Sequence, residues 1–152
     1  MGEKANSIEW GKDVIWFDPE EFDDPDHPGS WVHLDALTVI YLERIRLMTG
    51  WPIITHNKFG LHGCVTVAPK GHSDKSRHYI DNECDAVDWH FDIDIDPRIQ
   101  AKTVLQSDFT GVGVYYDWKW NNKKLNIGFH VDRRERPQYW KREKGEYFYL
   151  LK

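Results

Sequence analysis

Ser76-Arg-His-Tyr-Ile-Asp-Asn-Glu-Cys-Asp-Ala-Val-Asp-Trp-His-Phe-Asp-Ile-Asp-Ile-Asp96 changes character at its midpoint. Up to Asp85 it is polar and has no period. From Ala86 to Ile95 it alternates, with Val87, Trp89, Phe91, Ile93 and Ile95 on one side and Asp88, His90, Asp92 and Asp94 on the other. Successive side chains of a strand point to opposite faces, so this pattern predicts a strand with its odd-numbered residues on the core.

Downstream, Asp96-Pro97 is a helix start, and the helix is expected over Arg98 to Gln106 with Ile99, Val104 and Leu105 apolar. Gly111 to Tyr116 reads as a strand. Asn121-Asn122 reads as a turn inside Trp118 to Lys124, and Leu125 to Arg133 as a strand returning antiparallel. Glu146 to Leu151 is a last edge strand or a docked tail. Upstream, Ser30 is placed to cap a helix from Trp31 to Met48, whose apolar face is Leu34, Leu37, Tyr41, Ile45 and Met48. Gly50 and Pro52 end it. Trp51 to Thr55 is a short strand, Val14 to Phe17 a strand or anchoring segment, and Glu20 to Gly29 a loop. Residues 1–12 are polar and expected to pack loosely, and His56 to Lys75 is a long irregular segment. The sum is an α+β domain with a small, mostly antiparallel sheet and helices packed on one face. One domain spans residues 1–152, its core about 14–134, with 135–152 as a C-terminal extension.

An apolar fraction of 40% argues against disorder, and eight Trp, seven Tyr and seven Phe should fill much of the core with rings. The net charge is −5, and the basic cluster Arg133, Arg134, Arg136, Lys141, Arg142, Lys144 is interrupted by acids and reads as a solvated face. Nucleic acid is therefore not expected as a partner. Cys64 and Cys84 are too few for a disulfide framework; two reduced core thiols are favoured over a single bridge. Nothing resembles a signal peptide or a membrane span, so the expectation is a monomer made in the cytoplasm with no membrane partner.

Eight histidines are spread along the chain. His78 stands shortly before the strand holding Asp88, and His130 lies in Gly128-Phe129-His130-Val131-Asp132, on a strand able to neighbour it. Cβ atoms on adjacent strands are about 5 Å apart, close enough to share a metal held at about 2 Å from each donor. Two imidazoles and a carboxylate with a fourth position open suit catalytic zinc, which acidifies water toward a pKa of roughly 7 and polarises a carbonyl. Asp132 shares a face with His130. It is open to three roles there, as a further ligand, an acceptor for a histidine N–H or a general base, or else it pairs with Arg133, Arg134 or Lys124. An iron site built on His130-x-Asp132 is disfavoured, because no histidine follows His130.

Ser76-x-His78 with Ala86-Val87-Asp88, Gly111-x-Gly113-x-Tyr115, and Phe129-His130-Val131-Asp132-Arg133 together resemble the D-Ala-D-Ala carboxypeptidase and hedgehog-type zinc peptidases. The similarity is greatest to the phage and bacterial branch, with motifs S-x-H-x-x-G-x-A-x-D and G-x-G-x-Y…F-x-H-x-D, and it spans residues 17–134. It implies that fold, a Zn2+ ion held by His78, Asp88 and His130, and cleavage of bacterial peptidoglycan stem peptides or cross-links. An endolysin or wall-remodelling enzyme is the implied type, acting in a host cytoplasm or virion if phage-encoded. The chain departs from the pattern in several places. His78 and Asp88 are ten apart, whereas Asp85 stands at the motif's spacing; the Ala-x-Asp context favours Asp88. Asp81 replaces the motif glycine. His56-Asn57-Lys58-Phe59 replaces the stretch carrying the arginine for the substrate carboxylate, leaving Lys58 or Arg77, with Tyr115, for substrate binding. Ile127 occupies the position of the usual base, which leaves Asp132 for that role. The alternative is a structural or virion module that keeps the fold without hydrolysis.

Overall fold

The computed structural model describes residues 2–59, 61–68, 75–120, 123–124 and 127–150. Helix α1 (Ala36–Thr49) is followed by β1 (Ile53–Thr55), β2 (Val87–Phe91), α2 (Pro97–Leu105), β3 (Gly111–Tyr115), β4 (Lys119–Trp120), β5 (Lys123–Lys124), β6 (Gly128–Asp132), β7 (Gln138–Glu143) and β8 (Glu146–Leu150). Six strands form one sheet in the order β1-β2-β6-β3-β7-β8, while β4 and β5 pair apart. The fold is α+β, but the sheet is mixed rather than small and mostly antiparallel, because β7 runs parallel to β3. Residues 138–150, expected to extend beyond the core, supply two of the six strands.

The register sorts the side chains into two faces. Val87, Val131, Val112 and Tyr139 are cross-strand partners in one row, and Trp89, Phe129 and Val114 in the next. These residues are buried, and Val39, Leu42, Ile45, Ala101 and Val104 from the two helices join the same core. On the opposite face Asp88, His130, Gly113 and Trp140 form one row, with Asp132, Gly111 and Gln138 beside it. β2 stops at Phe91, short of Ile95. β6 reaches only to Trp89 and β1 only to Phe91, so later residues have no ladder to join and Ile93 is exposed.

α2 starts on the Asp96 carboxylate, which accepts from the Arg98 amide. α1 begins later than the sequence suggests. Asp35, not Ser30, caps it by accepting from Thr38 N, and Ser30–His33 is a separate 3-10 turn. The shifted start moves the buried stripe to Val39, Leu42 and Ile45, leaving Leu37 38% and Met48 85% exposed. Ser30 Oγ accepts from Asp24 N instead. The N-terminal segment is docked rather than loose, with Ala5 and Ile8 buried and Ala5 N donating to Leu34 O at 2.7 Å. Val14 and Phe17 are anchors, and the Glu43 carboxylate accepts from the amides of Ile15 and Trp16. Cys64 and Cys84 are separate, buried thiols. The turn expected at Asn121-Asn122 lies outside the described residues.

Candidate metal centre

Asp88 on β2 and His130 on β6 are direct cross-strand partners, so the pleat brings their side chains together on the polar face. His78 reaches the same place from the loop before β2. Its Nε2 is 3.5 Å from Asp88 Oδ2, and His130 Nδ1 is 2.9 Å from Asp88 Oδ1. One donor atom from each of the three lies within 4.8 Å of the others. Metal bonds of 2.0–2.2 Å in a tetrahedron place donors about 3.3–3.6 Å apart, so these spacings are near those of three ligands around one ion.

Each imidazole is fixed through its far nitrogen. His78 Nδ1 donates to Cys64 O at 2.9 Å, which leaves Nε2 facing Asp88. His130 Nε2 donates to Asp132 Oδ2 at 2.9 Å, which leaves Nδ1. Metal-binding histidines are oriented in this way. Asp132 is 0% exposed, and its carboxylate also accepts from Arg134 N at 3.1 Å, Nε at 2.8 Å and Nη2 at 2.5 Å. Burial works against the Asp88 charge, but the imidazoles of His78 and His130 outweigh it and hold the carboxyl far below its usual range. Burial likewise disfavours charge on His130, yet the carboxylates of Asp132 and Asp88 raise it to about 9. Burial also opposes charge on Asp132, which Arg134 and His130 hold well below the usual range.

Asp85 is turned away from this group. Arg77 clamps it with Nε at 2.9 Å from Oδ1 and Nη2 at 2.6 Å from Oδ2. Arg77 Nε also stands 3.7 Å from Asp132 Oδ1, so this guanidinium backs the site through carboxylates. Lys58 lies in the 3-10 turn His56–Phe59, and its side chain falls outside the described residues. The Tyr115 hydroxyl accepts from Trp140 Nε1 at 3.1 Å, and burial raises it to about 12. Trp140 covers the far side of His130, with ring centroids 5.5 Å apart. The two glycines before Tyr115 make room for this cover: a Cβ on Gly113 would lie 2.5 Å from Trp140 Nε1, and one on Gly111 would overlap the Asp132 carboxylate.

Two features escaped the sequence reading. His56 Nε2 and His90 Nδ1 are 3.2 Å apart in a buried pair beside the site. Burial lowers both, His56 to about 4, so they remain neutral imidazoles. The signal was available, since His90 shares the period-two face of Asp88 and His56 directly follows β1, which flanks β2. The other feature is a roof over Asp88. Gly63 O accepts from Asp88 N, and a Cβ on Gly63 would stand 2.7 Å from His56 Cβ and 3.2 Å from Asp88 Cβ. Gly63→Ala is therefore expected to lift the roof, costing about 1–3 kcal/mol in a urea titration.

No family model matches the chain, and no curated protein or solved structure matches it either. Among the described residues no helix is long and apolar enough to cross a membrane.

Proposed function

We propose that His78, Asp88 and His130 hold a zinc ion and that the domain is a zinc-dependent peptidase acting on bacterial peptidoglycan peptides. One observation carries the reading. Three donors from separate segments converge, and both imidazoles are pinned by one nitrogen so that the other faces Asp88. Zinc in such a site supplies Lewis acidity, acidifying water and polarising a peptide carbonyl. The chain's own residues set the geometry. Asp132 orients His130 and stabilises its charge; with its oxygens taken by His130 and Arg134, it acts as a positioning residue rather than as the acceptor of a water proton. A groove lined by Tyr115, Arg134, Gln138, Trp140, Tyr147 and Tyr149 opens beside Trp140 and offers the substrate a place to lie. In this reading the fold is of the hedgehog and D-Ala-D-Ala peptidase type implied by the sequence motifs.

A second reading, a metal-holding module without hydrolysis, is favoured by the same engagement of Asp132 and by Ile127 standing where a base would serve. Isolated peptidoglycan and a synthetic stem peptide separate the two. Release of new amino groups that stops with a chelator, returns with zinc and falls to background in His130→Ala supports the peptidase. A wild-type protein that binds zinc at His130 and releases nothing supports the module.

A further inference from the structure

Away from the sheet, the Asp23-Asp24-Pro25-Asp26 loop meets the segment that begins at His62. His62 Nε2 is 3.3 Å from Asp24 Oδ1 and 2.9 Å from Asp26 Oδ2, and one donor atom from each of the three lies within 4.8 Å of the others. The one nitrogen of His62 is shared between two carboxylates; a cation is the natural occupant of such a donor set. Asp24 has a side chain only 2% exposed. Its carboxylate accepts from the amides of Val67 and Asp26 and faces the imidazoles of His62 and His27. Among the described residues, no lysine or arginine pairs with Asp23, Asp24 or Asp26, and the titratable groups facing the Asp24 carboxylate are the imidazoles of His62 and His27.

The geometry points to a second divalent metal site, of the zinc class, formed by Asp24, Asp26 and His62. Donor spacings of 2.9 and 3.3 Å are close to the edges of a tetrahedron with bonds of about 2 Å. His27 Nδ1, 3.4 Å from Asp24 Oδ2, is a further donor at its rim. An imidazole among the donors favours zinc over calcium or magnesium.

The position gives the site a purpose. The segment from His62 to Val67 roofs the first site, since Gly63 O holds the Asp88 amide and Cys64 O holds His78. Asp24 grips this segment at both ends, through His62 and through the Val67 amide. A metal there staples the roof to the Asp24 loop and thereby keeps His78 and Asp88 in place. The inference does not rest on the peptidase reading, since it needs neither hydrolysis nor a bound substrate.

Zinc stoichiometry on the full chain, stripped with a chelator and reloaded by equilibrium dialysis, tests it. Two zinc ions are expected for wild type, one each for His130→Ala and His62→Ala, and none for the double variant. Asp26→Asn, at an exposed position, repeats the His62→Ala result if that variant folds poorly. In His130→Ala, zinc at ten times its Kd should slow amide exchange across residues 63–67 about tenfold, and His62→Ala should abolish the effect. Zinc binding to His130→Ala that His62→Ala and Asp26→Asn leave unchanged overturns the inference, as does no binding at all. Either outcome leaves the His78–Asp88–His130 reading intact, and that reading fails separately if His130→Ala keeps the wild-type stoichiometry.

Discussion

Asp132→Ala is expected to lower the unfolding free energy of the metal-free protein by about 3 kcal/mol and to weaken zinc binding by about 10–100-fold. The carboxylate is fully buried and accepts from one imidazole, one backbone amide and two guanidinium nitrogens. Its removal leaves His130 and Arg134 without their counter-charge. Arg134 is 22% exposed and can turn toward water, which keeps the cost at the lower end for a broken buried pair. Urea unfolding under chelation reads the first effect and competitive zinc titration the second. Asp132→Asn separates positioning from proton transfer. It retains an oxygen for His130 Nε2, so a positioning residue gives a reduced zinc affinity with turnover lost in proportion. A general base would instead give unchanged affinity with turnover abolished.

Metal-free and zinc-loaded protein should respond to pH in opposite directions. In the metal-free protein His130 is raised from 6.5 to about 9. A group raised on folding contributes stability that is complete below its unfolded value and lost as pH climbs through the folded one. Metal-free stability should therefore fall between pH 6.5 and about 9. Asp88 and Asp132 are lowered, so their contributions are present above the ordinary value of 3.8 and lost as pH falls below it. Zinc requires His130 without its proton, so over that same upper window the affinity should rise about tenfold per pH unit, with close to one proton released per zinc at pH 7. Melting curves with chelator and with zinc, and calorimetry in two buffers of different ionisation enthalpy, measure both. Parallel pH trends would remove His130 from the ligand set.

How much was legible depended on whether the signal was local. β2 could be read because alternation is a property of consecutive residues, and α2 because Asp96-Pro97 is a start signal in itself. The convergence of His78, Asp88 and His130 was expected from motif order, and the Ala-x-Asp context already favoured Asp88 over Asp85; the structure adds that Arg77 holds Asp85. β7 was hidden. Gln-Tyr-Trp-Lys-Arg-Glu looks like a solvated basic stretch, but Tyr139 and Trp140 are buried while the longer charged side chains stay half-exposed. α1 was read one turn early because Leu34 falls in phase with the helix although it precedes the Asp35 cap. The His56–His90 pair and the Asp24–His62 contact join residues more than thirty positions apart, and no periodicity reports that.

The path of the chain at the end of β6 has a temporal side. Residues 133–137 carry it over the end of β3, so β6 and β7, consecutive in sequence, flank an earlier strand instead of each other. β7 joins the sheet on β3 and is paired on its other side by β8. During synthesis from the N-terminus, β3 and β6 are both complete before Trp140 emerges. The nascent chain therefore has His78, Asp88 and His130 to hand while the indole that will cover His130 has yet to be made. Synthesis runs from His78, Asp88 and His130 outward, and the wall of the groove is the last piece to be made.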